Sequence, residues 1–230
     1  MDRIDDDVGS LDGLVNNAGI AVAGPVELVT DEEWRHQFEV NLFGVVRLTR
    51  SALPLVERAG GRFVHIGSIN GRIAVPGLAP YAASKHALDA FNWALRAEVS
   101  PRTGMTSSLI EPGRVDTPIW AKARRTADDI ERRLASSGTT ERYRSLLDGQ
   151  RVLLDQGGGV DPDRVAAVVE RALTHRRPRA RYLVGGDARL GGLLARLPER
   201  ALEGVLALNA RQLARLARRS AAASPDRGRS

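Results

Sequence analysis

Tyr81 and Lys85 stand four residues apart in Tyr81-Ala82-Ala83-Ser84-Lys85, and on a helix that spacing puts a phenol and an ammonium on one face. A free phenol titrates near ~10, and bringing it to ~7 takes roughly 4 kcal/mol. A cation at ~4 Å in a partly screened site supplies about 4 kcal/mol, so Lys85 alone is expected to make Tyr81 a usable acid/base. Arginine replaces lysine almost everywhere in this chain, leaving only Lys85 and Lys122, which makes the pairing less casual. Taken alone, the pair also reads as two surface residues of an amphipathic helix.

Ser68 follows the apolar run Arg62 to Ile66 within Gly67-Ser68-Ile69-Asn70-Gly71. A hydroxyl just past the carboxyl end of a parallel strand is where ligands of open sheets bind, and it can hold a substrate oxygen. By itself it is equally a turn serine. Asn16-Asn17-Ala18-Gly19 ends an earlier apolar run in the same way, with small residues that let a flat ligand approach the backbone. Asn41 falls inside a helical pattern, where asparagine is a poor former and distorts the turn. Glu111-Pro112-Gly113-Arg114-Val115-Asp116-Thr117-Pro118 forms a rigid turn after a third run, with backbone groups able to meet a ligand amide. His36, His65, His86 and His175 lack ligand spacing, so no metal site is expected and these histidines read as surface or packing residues.

The elements that must position these residues alternate. Strand-like runs at Leu11 to Val15, Arg62 to Ile66, Thr106 to Ile110 and Arg181 to Val184 are separated by helical patterns, which predicts an α/β fold with a doubly wound parallel sheet. Thr30 with Glu33 forms a capping box opening a helix to about Val56, with Pro54 predicted to kink or end it. A second helix is predicted over Ala82 to Val99, stopping at Ser100-Pro101, and a third begins at Asp161-Pro162 with Val165, Val168, Val169 and Leu173 turned inward. Residues 120–156 are polar, arginine-rich and weakly periodic, and end at Gly157-Gly158-Gly159, so they are read as a mobile substrate lid with a flexible hinge.

Taken in order, the Asn16 to Gly19 turn, the helical Asn41, Ser68, the Tyr81–Lys85 pair and the Pro112, Gly113, Val115, Thr117 turn resemble the short-chain dehydrogenase/reductase family, from about Val8 to Leu190. The resemblance implies a Rossmann-like sheet and reversible hydride transfer between NAD or NADP and an alcohol or ketone substrate. It makes Tyr81 the general acid/base, Lys85 its partner and ribose ligand, Ser68 the holder of the substrate oxygen and Asn41 the anchor of a relay water. It places Asn17, Ala18 and Gly19 on the adenosine side, and Pro112, Gly113, Val115 and Thr117 at the nicotinamide end. The turn from Glu111 to Trp120 is similar to hydroxysteroid- and retinol-type members. The family opens with a strand and a glycine-rich turn that seats the pyrophosphate at a helix N-terminus, and no such cluster precedes Asn16. The first βαβα portion, on the order of 60 to 80 residues, is therefore expected to be lacking, with dinucleotide binding weakened and a sheet edge left open. The relatives' two long helices imply a homodimer or homotetramer. They also leave open an alternative, a non-catalytic pseudo-enzyme or partner-binding protein.

Composition is that of a soluble globular chain, 43% hydrophobic and 27% charged, without cysteine, as a reducing cytoplasm permits. The acidic N-terminus does not read as a secretory signal, and no apolar run reaches a membrane span, so a cytoplasmic location is expected. Residues 171–230 carry fourteen arginines against Asp187, Glu199, Glu203 and Asp226, a balance of +10, which leaves −4 for residues 1–170 of the net +6. This basicity reads as a solvated helix face rather than a nucleic-acid site. Residues 1–190 are read as the catalytic domain and 191–214 as a basic amphipathic helix that could meet a membrane surface or partner. Residues 215–230 are read as a disordered tail.

Overall fold

The computed structural model describes residues 7–137 and 140–223. Four strands, β1 (Gly13–Asn16), β2 (Arg62–Ile66), β3 (Thr106–Pro112) and β4 (Arg181–Val184), form one sheet in the order β1-β2-β3-β4. All neighbours are parallel, with Val15 opposite Val64, Ile66 opposite Ile110 and Pro112 opposite Val184. Parallel pairing forces each connection to cross the sheet, and helices carry the crossings. Among the described residues β1 pairs with β2 alone.

Successive side chains of a strand face opposite sides, and β2 supplies both layers. Phe63 packs with Ala52 and Val56 of α2 (Gly44–Ala59) and with Leu95 and Val99 of α3 (Ala79–Thr103). Val64 turns the other way, to α6 (Pro162–Thr174), where Val165, Val168, Val169 and Leu173 cover the face as predicted. Burial on both faces is what a parallel sheet requires.

The predicted first helix is three pieces. Thr30 and Glu33 form the capping box that opens α1 (Asp31–Phe38), a π-helical turn follows over Glu39–Phe43, and α2 continues from Gly44. Pro54 neither ends nor breaks α2, which runs to Ala59. It sits on the exposed side, where water can take the carbonyl that its missing N–H leaves open, while Ala52, Leu55 and Val56 stay anchored on the sheet. Likewise α3 does not stop at Ser100-Pro101; Gly104, at φ +73, terminates it.

The largest departure is the segment expected to be mobile. Residues 119–155 are two helices, α4 (Ile119–Ser137) and α5 (Thr140–Asp155). Ala123, Ala127, Ile130 and Leu134 recur at i, i+4, i+7 and i+11 and are all buried, a stripe hidden in the sequence by its small residues and many arginines. The expected hinge is tied down by Val160, whose N–H donates to the Arg114 carbonyl (2.8 Å) and whose carbonyl accepts from Asp116 (3.0 Å).

After β4 come α7 (Gly186–Leu194) and α8 (Glu199–Ala223). The stretch predicted to lose order after 214 is thus helical to Ala223, because Gly149 of α5 lets α8 approach at Leu213 and Ala214, the latter buried. Residues 224–230 of that predicted tail lie outside the described residues.

Candidate active site

The carboxyl end of β2 places Ser68 two residues beyond the strand, with extended backbone (φ −167°) and its hydroxyl accepting from the Asn70 N–H at 3.1 Å. The short 3-10 turn that follows lies directly on α3. A Cβ on Gly71 would come within 2.9 Å of the Lys85 carbonyl oxygen, so only glycine allows this approach. Ser68 is thereby brought toward Tyr81, in the first turn of α3, where its hydroxyl favours the phenolate. The Tyr81 ring is buried among Ala21, Ala23, Leu78, Ala123, Ala127 and Leu154, and meets Trp120 edge-on at 6.3 Å.

One turn along α3, the Lys85 ammonium donates to the Ile66 carbonyl at 2.7 Å and lies 5.9 Å from the Tyr81 ring centre. Burial pushes the Lys85 amine down to about 8. Burial likewise pushes the Tyr81 hydroxyl above its ordinary value, with the Ser68 hydroxyl acting in the opposite sense. The expectation that Lys85 alone brings the phenol near neutrality is thus not met. The cation is turned to Ile66 and is itself destabilised by the surroundings that bury the phenol.

Asn41 lies in the π-helical turn, fully buried. Its Oδ1 accepts from the Ile20 N–H (2.9 Å), and its Nδ2 donates to the Ile20 carbonyl (3.0 Å) and to Ser84 Oγ (3.1 Å). Gln37, one helical turn earlier and not singled out from sequence, extends the clamp: Val22 N–H donates to its Oε1 (2.7 Å) and its Nε2 donates to the Ile20 carbonyl (2.9 Å). Together they fix the segment after Gly19 against α3. Both N–H groups of the Asn41 amide are used in this way.

The partners of two polar residues in the predicted turns, Asn16 and Glu111, escaped sequence reasoning. Asn16 Nδ2 donates to Thr49 Oγ1 (3.2 Å) and meets His65 Nδ1 (3.0 Å), pinning the end of β1. His65 is a packing residue between Phe63 and Phe91, pushed down to about 4 by burial and, secondarily, by the Lys85 charge. Glu111, fully buried, accepts from Arg72 (2.9 Å) and Arg181 (2.6 Å), and Arg181 also pairs with Asp89. This cluster ties β3 and β4 to α3 and to the Ser68 turn. Each of these hydrogen bonds joins residues distant in sequence, so no local signal could have revealed it.

A cavity of about 860 Å³ opens at this end of the sheet. Asn17, Ala18, Gly19, Tyr81, Lys85, Pro112, Gly113, Val115 and Thr117 all line it, so every residue predicted to face a cofactor meets one space. Ser68 and Asn41 do not line it: Ser68 stands behind Tyr81, and Asn41 behind Gly19. Among the described residues no cluster of His, Asp or Glu could hold a metal ion.

The sequence model for the short chain dehydrogenase family matches residues 1–128. The uncharacterized oxidoreductase YusZ of Bacillus subtilis is 36% identical over 204 residues, covering 85% of this chain and 69% of the relative. The chain belongs to the short-chain dehydrogenase family. Mouse retinol dehydrogenase 5 is 36% identical over 202 residues, covering 84% of this chain and 63% of that protein. The chain thus spans about two thirds of the length of these two relatives. A short-chain dehydrogenase from Burkholderia cenocepacia, solved in complex with NADP, superposes with a TM-score of 0.68 at 22% identity, over 89% of this chain and 72% of that one. The likeness confirms the α/β fold. The resident residues of this short-chain dehydrogenase fit the nicotinamide half of such a dinucleotide. At Gly19 the position of a side-chain carbon would lie 3.5 Å from Asn41 Oδ1 and 3.7 Å from Lys85 Nζ, so glycine keeps open the space beside the ammonium that a ribose would use. Gly113 also lines the cavity, and the space its side chain would take is held by the Asp187 carboxylate.

Proposed function

We propose that this chain carries the chemical half of an NAD(P)-dependent oxidoreductase acting on an alcohol/ketone pair. The observation that supports this most is that Tyr81 and Lys85, one turn apart on α3, line one cavity, with Ser68 on the phenol's far side. The bound nicotinamide supplies or takes up the hydride. Tyr81 moves the proton at the substrate oxygen, Ser68 holds that oxygen in place, and the buried setting excludes competing water. Lys85 stands where it can bind ribose hydroxyls and favour the phenolate once polar groups join it. Asn17, Ala18 and Gly19 receive the adenosine side, and Pro112, Gly113, Val115 and Thr117 the carboxamide end. Asn41 and Gln37 hold the Ile20 segment against α3. The walls beyond Tyr81, formed by Pro118, Ile119 and Trp120, suit a bulky apolar alcohol.

The test is absorbance at 340 nm with NAD and NADP against a panel of retinol- and steroid-type alcohols. Replacing the general acid/base by Tyr81→Phe should lower turnover by at least about 100-fold, while dinucleotide binding, read by calorimetry, stays within a few-fold of the parent. Retention of more than a tenth of the parent rate would remove Tyr81 from this role. Dinucleotide binding with no turnover on any alcohol would favour a non-catalytic, partner-binding protein instead.

A further inference from the structure

Half of the exposed large hydrophobic side chains among the described residues lie in one corner. Leu190, Leu193 and Leu197 project from α7 and its exit, and Val205, Leu208 and Leu216 from α8. They account for six of the twelve among the described residues, and Leu193 and Leu208 are each 62% exposed. These residues are not the underside of a packed helix. On α7 the opposite face, Ala188, Gly191 and Gly192, is the buried one. On α8 the stripe of Leu206, Ala210, Leu213 and Ala214 already turns toward α5, so Val205, Leu208 and Leu216 form a second stripe without a partner. The two stripes meet where Leu190 of one and Val205 of the other line the same cavity of about 320 Å³.

Charge decides what would cover them. Arg189, Arg196, Arg200, Arg211 and Arg215 are exposed around the leucines and none has an ion-pair partner among the described residues. Of the acids nearby, Asp187 is spent on the Arg114 N–H at 2.6 Å, leaving Glu199 and Glu203 at the start of α8. Residues 186–223, α7 and α8 with their link, carry seven arginines against three acids, a balance of +4, while residues 1–170 sum to −4. An anionic plane would therefore attract this corner. Leucines rimmed by arginines on a helix surface match an acidic lipid interface, where the apolar side chains sink to the acyl boundary and guanidiniums meet phosphates. No helix among the described residues is long and apolar enough to cross a membrane, so the contact would lie in the plane of the interface.

We propose that the α7–α8 corner docks this protein on an anionic lipid surface. The test is co-sedimentation of the full chain with vesicles of phosphatidylglycerol and phosphatidylcholine, against vesicles of phosphatidylcholine alone. Binding is expected to the first and to fall at least tenfold on the second or at high salt. The double variants L193D/L208D and R200E/R211E change only exposed side chains, and circular dichroism verifies that each is folded. Each is expected to lose at least tenfold in vesicle binding. Three outcomes overturn the proposal: no binding to anionic vesicles, binding that both folded variants retain, or a self-associated parent that ignores vesicles and becomes monomeric in L193D/L208D, which would make the corner an interface between copies.

Discussion

Burial acts on the two reactive side chains of α3 in opposite directions, raising the Tyr81 phenol and lowering the Lys85 amine, and in both it favours the uncharged form. A lysine brought from 10.5 to about 8 carries a penalty on the order of 3 kcal/mol below pH 8. Because the unfolded chain holds the extra proton between pH 8 and 10.5, stability attributable to this group rises with pH across that window and is flat below it. Against this stands the hydrogen bond to Ile66, whose loss leaves a buried carbonyl unpaired at about 1 to 3 kcal/mol. We therefore expect Lys85→Met to be at least as stable as the parent in denaturant at pH 7, with that relative advantage shrinking by pH 10. A loss of several kcal/mol at pH 7 would mean that the ammonium is a structural member of the fold. The gathering of Tyr81, Lys85 and Ser68 at one end of the sheet was legible because type, spacing and order all agree. The direction of their proton affinities was not, since it depends on how much protein surrounds them.

Helical spacing in the sequence is a sound guide where the stripe is made of large residues and a weak one where it is made of small ones. The predicted spans of β2 and β4 agree with the fold to the residue, and Asp161 caps α6 as predicted. In α4 two of the four buried positions are alanines, which carry little hydrophobic signal, so an ordered wall of the site was read as a mobile lid. Packing shows how firm that wall is: a Cβ on Gly24 would sit 2.3 Å from Ile130 Cδ1, and Val29 packs with Ile130 as well. Ile130→Ala should lower unfolding free energy by about 2 to 5 kcal/mol, and limited proteolysis should then cut within residues 119–155 while sparing the parent. Equal cleavage of both would return this segment to the mobile class.

At the scale of the molecule, the sheet presents its carboxyl end to the cavity and its α2–α3 layer to solvent. Phe43, Leu48 and Trp93 remain exposed on that layer, although two helices already cover the sheet there. Large apolar groups left outside a completed core mark an association surface, and the same helices were expected to pair copies of the chain. A homodimer or homotetramer is the expected state in light scattering coupled to gel filtration, with F43D/L48D shifting the mass to that of one chain. A monomeric parent would sink this assignment. The strand order was legible only in part, because alternation of elements implies a parallel sheet but does not say which strand stands at its edge.

The scarcity of lysine gives this fold an unusual chemical handle. Both lysines, Lys85 and Lys122, line the same cavity, so amine-selective acylation of side chains is confined to one place on the molecule. Lys122 is exposed and Lys85 enclosed. With its proton affinity lowered to about 8, Lys85 would be about half free base at pH 8, where an ordinary surface lysine is under about one percent so. Conjugating a dye or a resin through lysine, usually a way to decorate a protein's outside, would here fill the cavity instead.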